Sequence, residues 1–326
     1  MNIKRNAIAA MLLVGLGLSG TAAAQDSWPS RTVTLVVPFA PGGSNDVVGR
    51  AIADGLTAET GTSFVVENLP SAGGIVGMQK IDGAKPDGYT LGIGSSSSFG
   101  TSPVVNTKLP YDVEKDFTQI TELAAVPMVI VATPSFEASN FQQFVDLVRA
   151  NPGKYAYASG GIGTLGHFGM EYLLNKMGMQ MLHVPYKGAG QAKIDVVAGQ
   201  VPVLIENFAS SVQHIREGQV KPLVIAFENR INMFPDVPIV TEFEELKDFQ
   251  LEGWMSLIGP GDMDPALQEK IRAAAAKALE RPEIRQRLEA IGYYIRTSTP
   301  EELSARISTD LKRWRDVVKN ANLTFN

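Results

Sequence analysis

The sequence has no cysteine, which excludes disulfides and rules out a lipid attached at a processed cysteine. It has only three histidines, His167, His183 and His214, too far apart for an H-E-x-x-H or H-x-x-x-H pair, so no metal site is expected. It has no basic block: Lys and Arg number 29 against 34 Asp and Glu, a formal charge of −5. A mildly acidic chain is a poor partner for nucleic acid or an anionic membrane. No apolar run reaches the roughly 20 residues that a membrane span needs, and there is neither an internal repeat nor a low-complexity segment beyond the N-terminus.

What is present begins with Lys4 and Arg5, an apolar run from Ala7 to Leu18, and Ala22-Ala23-Ala24. These read as a secretory signal over residues 1–24, cleaved near Ala24. No twin-Arg pair is present, which favours export in the unfolded state. Losing Lys4 and Arg5 moves the formal charge from −5 to −7. The remaining chain, about 300 residues, suffices for two domains. An exported, cysteine-free, two-domain α/β chain fits a solute-binding protein better than an enzyme.

The segment VVPFAPGGSNDVVGR, Val36 to Arg50, sets the pattern. A short apolar strand ends at Pro38, Pro41-Gly42-Gly43 turns the chain, and a helix starts at Ser44, the expected N-cap. Asp46 falls in the first turn, where negative charge suits the helix dipole. Such a glycine-lined helix N-terminus at a strand's C-terminal end is a ready anion site in an open α/β sheet. Strand Ser63 to Asn68 then runs into Pro70-Ser71-Ala72-Gly73-Gly74, and strand Tyr89 to Ile93 into Gly94-Ser95-Ser96-Ser97-Ser98. This β-α-β-α-β order implies a parallel sheet with all three breaks on one edge. The four adjacent serines could donate to a ligand's oxygens or form a solvated loop.

Two short strands are expected within Phe117 to Thr133, then a helix from about Ser139 to Ala150. The opening pattern recurs at strand Tyr155 to Ala158 and Ser159-Gly160-Gly161-Ile162-Gly163-Thr164, the matching site of a second domain. Gly161-x-Gly163-x-x-Gly166 also matches the dinucleotide fingerprint, but the next strand ends His183-Val184-Pro185-Tyr186, with no acid for a ribose, so no cofactor is expected. Gly188-Ala189-Gly190 is another loop into a helix, and strand Val201 to Ile205 ends at Glu206-Asn207. Trp254 to Ile258 would cross back to the first domain. Asp264-Pro265 and Thr299-Pro300-Glu301-Glu302 start two final helices. In the last one, Leu303, Ile307, Leu311, Trp314 and Val318 share a face, read as core packing.

VPFAPGGSNDVVGR, VVENLPSAGGIVG, LPYDVEKDF, YASGGIGTLGHFGMEYL, HVPYKGAGQAKIDVVAGQV and FPDVPIVTE together resemble the successive signatures of the periplasmic receptors of tripartite tricarboxylate transporters, the Bug family. The resemblance covers essentially the whole chain after the signal. It implies an α/β, two-lobed periplasmic-binding-protein (Venus flytrap, type II-like) fold, each lobe a mainly parallel sheet flanked by helices, joined by two crossover connections. Lobe 1 would comprise residues 25–124 plus 249–326 and lobe 2 residues 125–248. It implies a small carboxylate ligand held in the cleft, commonly a dicarboxylate, a monomer that works with the transporter's membrane subunits, and no catalysis.

Carried over by position, the resemblance places Phe39, Gly42, Gly43, Ser44 and Ser96 or Ser97 against the ligand from lobe 1. From lobe 2 it places Ser159, Gly163, Thr164 and His167. Asp46 matches the motif, but its charge suits a cap better than a carboxylate contact, and a packed or first-turn residue is the second reading of His167. His183 and His214 read as structural. Asn207 stands where the family suggests an acid, which would disfavour an amino-acid ligand. Two other functions remain: a ligand sensor for a membrane signalling protein, and an exported hydrolase. The serine cluster lacks the second glycine of a G-x-S-x-G elbow, which weighs against the hydrolase.

Overall fold

A computed structural model describes residues 28–106, 108–227, 229–249, 251–321 and 323–324. The expected signal segment and its cleavage point lie outside them. In chain order the first elements are β1 (Val33–Val37), α1 (Ser44–Thr60), β2 (Phe64–Asn68), α2 (Ile75–Asp82), β3 (Thr90–Ser95), α3 (Ser102–Val105) and β4 (Phe117–Ala132). There follow α4 (Phe141–Ala150), β5 (Ala156–Ser159), α5 (Leu165–Lys176), β6 (Leu182–Pro185), α6 (Ala189–Val197), β7 (Val203–Asn207), α7 (Phe208–Arg216) and β8 (Lys221–Ala226). The chain ends with β9 (Glu252–Pro260), α8 (Pro265–Glu280), α9 (Pro282–Glu289), β10 (Tyr294–Ile295) and α10 (Pro300–Ala321).

The strands run in the order β2-β1-β3-β9-β4-β7-β5-β6, with β8 and β10 also paired to β4. β1 pairs in parallel with β2 and β3, and β5 in parallel with β6 and β7. The inner strands β1, β3, β5 and β7 are buried on both faces along most of their length, as parallel strands flanked by helices must be, whereas the edge strands β2 and β6 stay partly exposed. Period-two alternation divides them between layers. Val33, Leu35 and Val37 pack with Ile52, Leu56, Ile271 and Leu279 of α1 and α8, while Val36 faces Met78, Ile81, Leu303 and Ile307 of α2 and α10. The same division recurs in the other half, where Met128 and Ile130 face Phe144 and Phe168 while Val129 and Val131 face Val196 and Val212.

β4 joins the two halves, and here the structure corrects the expected pair of short strands. Residues 117–132 form one continuous strand. Its first part, Phe117 to Pro127, pairs antiparallel with β9, and Met128 to Ala132 pairs with β7 and β8. Pro127, which has no N–H to donate, stands where the partner changes. The chain ends in three helices rather than the expected two, because Arg281 leaves helical geometry (ψ 125°) and Pro282 starts α9 as a new helix. Some other elements differ from expectation at their ends. The β7 strand runs on to Asn207 rather than stopping at Ile205, and α6 starts at Ala189 rather than Gln191.

The chain crosses between the halves within β4 and returns between β8 and β9. The crossing is braced by ion pairs. The Arg306 guanidinium donates to both Glu122 oxygens at 3.1 Å and to Glu252 at 2.7 Å, and Arg296 donates to Glu252 at 3.2 Å. Leu303, Ile307, Leu311 and Trp314 of α10 are buried, as expected of a core face. The Trp314 ring meets Phe168 of α5 at 4.9 Å, so this helix touches both halves.

Candidate functional site

The β1–α1 connection shows how local chemistry builds the site. Gly42 has φ +78°, a conformation that L side chains rarely adopt. Its N–H donates to Asp46 Oδ2 at 2.9 Å. The same carboxylate accepts from Arg50 Nε at 3.0 Å and Asn68 Nδ2 at 2.9 Å, and Asn68 Nδ2 also donates to the Phe39 carbonyl at 3.1 Å. Burial opposes the charge on Asp46, but the hydrogen bonds from Arg50, Gly42 and Asn68 outweigh it and hold the carboxyl below the usual carboxylate range. Asp46 is thus the clamp that shapes the loop. The N-cap of α1 is Gly43, not Ser44, and no side chain caps that end, so its first amides have neither a helical partner nor a side-chain one.

Five such turns converge at the C-terminal ends of β1, β3, β5, β6 and β7. Between them lies a cavity of about 70 Å³. It is lined by Gly43, Ser44 and Asn45 before and in α1, Ser95 to Ser97 after β3, and Thr164 to Gly166 at α5. Gly188 and Ala189 at α6 and Glu206 and Asn207 at α7 complete the polar part. Phe39, Met128, Ile205, Trp254 and Met255 supply apolar walls. No Lys or Arg stands among the described lining residues. Neither α6 nor α7 has a side-chain cap. Asn45 Oδ1 is buried here without a protein partner.

Of the expected residues, Phe39, Gly43, Ser44, Ser96, Ser97, Thr164 and Asn207 line this cavity, whereas Gly42, Asp46, Ser159, Gly163 and His167 lie outside its lining. Ser159 is fully buried: its hydroxyl accepts from Gly161 N–H at 3.1 Å and bonds His183 Nε2 at 2.7 Å. His167 is 2% exposed and stacks on His183 with centroids 3.9 Å apart and planes 9° from parallel, and His183 stacks in turn on Tyr157. Burial and the neighbouring ring push His167 down to about 3, and burial pushes His183 down to about 4. Both imidazoles are therefore neutral at ordinary pH, and the stack braces the first turn of α5.

Ser97 has a protein partner, since its Oγ accepts the Leu165 N–H at 3.0 Å. The acid absent at position 207 stands one residue earlier. Glu206 is 3% exposed, accepts from Ser210 and Ser211, and has Lys193 Nζ at 3.8 Å. The α6 N-terminus and, apart from Phe39, the apolar walls were not among the expected residues. Gly188-Ala189 carries the same glycine-before-helix signal as the two sites that were; the walls come from the crossing strands and leave no local signal.

Among the described residues no group of three His, Asp or Glu could hold a metal ion, and no helix is long and apolar enough to cross a membrane.

The model of the tripartite tricarboxylate transporter family receptor matches residues 48–323. The Bordetella pertussis protein BugT is 30% identical over 98% of each chain. Among solved structures, MatC from Rhodopseudomonas palustris with bound malate is 32% identical, covers 89% of this chain and all of its own, and has a TM-score of 0.85. A second R. palustris structure, with adipate, is 26% identical over 91% of this chain and 99% of its own, with a TM-score of 0.87. A further solved structure, the periplasmic binding protein BugD, is 29% identical over 91% of this chain and 99% of its own, with a TM-score of 0.87.

Proposed function

The chain belongs to the tripartite tricarboxylate transporter receptor family, and on that premise we propose that it is a periplasmic receptor binding a small dicarboxylate in the cavity between its lobes. The lobes are residues 25–124 plus 249–326 and residues 125–248. The observation that carries the reading is the convergence of α1, α6 and α7, none capped by a side chain, on a cavity whose described lining holds no Lys or Arg. Amide N–H groups at helix N-termini favour anions, and their bonds to a carboxylate are roughly twice as strong as neutral ones. The α1 turn takes one carboxylate and the α6 and α7 turns the other. Phe39, Met128 and Trp254 cover the hydrocarbon between them. Ser96 and Asn45 lie within reach of a ligand hydroxyl.

Malate and adipate in the two R. palustris relatives support a dicarboxylate here. A ligand that spans the cleft completes both halves of the site only on closure, so binding shifts the protein towards the closed form. The membrane subunits of the transporter then take the ligand from that form. The reading includes no transformation of the ligand, and among the described lining residues there is no histidine and no G-x-S-x-G elbow to argue for one.

Thermal-shift screening against mono-, di- and tricarboxylates tests the reading. A dicarboxylate at 100 times its Kd adds roughly 2.7 kcal/mol of stability, an obvious rise in Tm. If neutral sugars raise Tm and no organic acid does, the carboxylate reading is wrong.

A further inference from the structure

Among the described residues, hydrogen bonds of Ser97 and Thr101 cross the cleft between protein groups alone. After β3, residues Ser96–Thr101 form a wide π-helical turn whose start is closed by reciprocal bonds between Ser95 and Ser98. π-helical geometry is rare and is frequently found at functional sites. It sets Ser97 and Thr101, four residues apart, towards the β5–α5 loop. Ser97 Oγ accepts the Leu165 N–H at 3.0 Å, and Thr101 Oγ1 donates to the Gly163 carbonyl at 2.8 Å. Thr101 is fully buried, so its hydroxyl has lost water, and the Gly163 carbonyl is its short acceptor, the Ser97 carbonyl within its own turn standing off at 3.5 Å.

Backbone approaches across the cleft make room for these bonds. A Cβ on Gly163 would stand 3.5 Å from Ser102 Cα, and one on Gly188 only 3.0 Å from Ala40 Cβ. Gly163 and Gly188 have φ +81° and +147°, where L side chains are strained. The two facing rims are thus shaped to meet each other.

We infer that Thr101 and Ser97 form a latch between the lobes that favours closure whether or not ligand is bound. Their part in the cleft is to position the lobes, and Thr101 does so from outside the cavity lining. Neither bond uses a ligand atom, so each contributes to the closed form of the free protein and of the complex alike. The latch therefore scales affinity for every ligand by a common factor without choosing among them. The inference rests on the proposed function only for that consequence on affinity.

The test is made on ligand-free protein. The chain has no cysteine, so Val65→Cys on β2 and Ile194→Cys on α6, at residues 50% and 60% exposed, accept one dye each without background. Single-molecule energy transfer then reads the closed-to-open ratio. Removing one net hydrogen bond lowers that ratio roughly five-fold in Thr101→Val. Thr101→Ser, which keeps the hydroxyl, restores it. Ser97→Ala lowers it independently and serves if Thr101→Val does not fold. A natively folded Thr101→Val or Ser97→Ala protein with the wild-type ratio overturns the latch, and so does a wild-type protein with no closed population. Failure of any carboxylate to bind would overturn the proposed function and leave this result standing.

Discussion

His167 and His183 lie face to face under the first turn of α5, 3.9 Å apart and largely buried, where the two cannot both carry a proton without mutual repulsion. Around them stand Tyr157, stacked on His183, Ser159, bonded to its Nε2, and Glu171, which accepts from Tyr157. Their folded pKa values, about 3 and about 4, lie below the unfolded 6.5. The unfolded chain therefore takes up protons below pH 6.5 that the fold refuses until about pH 4. Stability is fully present above pH 6.5 and is lost as pH falls towards 4, by at most about 1.4 kcal/mol per pH unit for each histidine. Glu171 and Glu122, which burial raises, act the opposite way from pH 4.5 upwards, so the total slope is blunted. Comparison with His167→Phe isolates the effect. Urea unfolding at pH 7, 6, 5 and 4 should show the wild type losing stability relative to the variant as pH falls; parallel curves would contradict the neutral stack. Asp46 answers to a different measurement. Asp46→Ala removes an acceptor from Gly42, Arg50 and Asn68 together. A loss of about 2 kcal/mol follows from the worth of hydrogen bonds to a charged group, and ligand affinity falls with it because the α1 turn loses its shape.

Helix α5 approaches β7 at Gly166, where an added Cβ would lie 2.8 Å from the Ile205 carbonyl oxygen. That neighbour is backbone and cannot swing away. Gly166→Ala gains about 1 kcal/mol of helix propensity, but overpacking of this kind typically costs about 1–3 kcal/mol. The net expectation is a lower Tm together with weaker ligand binding, since Thr164, Leu165 and Gly166 all line the cavity; an Ala variant with unchanged affinity would show that this turn does not set the site. Elements of this kind were largely legible from sequence. Pro41-Gly42-Gly43 and Gly160 to Gly163 punctuate strand and helix chemically, and the alternation of Val33, Leu35 and Val37 against Val36 is a local pattern. Pairings across the sheet were not legible. His167 reads from the sequence as a ligand contact, and its packing was not legible because its partner, His183, comes from the neighbouring strand β6. The two strands expected within residues 117–133 are one, because the change of partner at Pro127 is a property of β9 and β7 rather than of β4. Glu206 and Asn207 were read at the end of their strand. That Glu206 turns to Ser210, Ser211 and Lys193 is a matter of α6 and α7 packing.

At the scale of the molecule, the brace across β4 and β9 and the charge of the chain set how the cleft moves and fills. Glu122 is 3% exposed, and burial raises its carboxyl in spite of the nearby Arg306 and Arg296 guanidiniums. Breaking a buried pair by removing one partner commonly costs about 3–5 kcal/mol. Arg296, which stays near Glu122 at 3.6 Å, should hold Arg306→Ala to about 3 kcal/mol or less in urea unfolding. Charge then distinguishes this receptor from one with an arginine-lined cleft. The chain carries a formal −5, and Glu206, the acid among the described lining residues, is offset by Lys193. A dicarboxylate approaching an acidic surface is repelled at long range, and the helix N-termini attract it only at close quarters. Salt screens the repulsion over about 10 Å at 0.1 M but leaves the short amide contacts largely intact. Association of a dicarboxylate that passes the melting screen should therefore hold steady or rise slightly between 10 and 150 mM salt, on the order of two-fold. Trp254 in the cavity wall offers a fluorescence signal for stopped-flow measurement. An association rate that falls steeply over the same range would mean that fixed cations, not backbone amides, draw the ligand in.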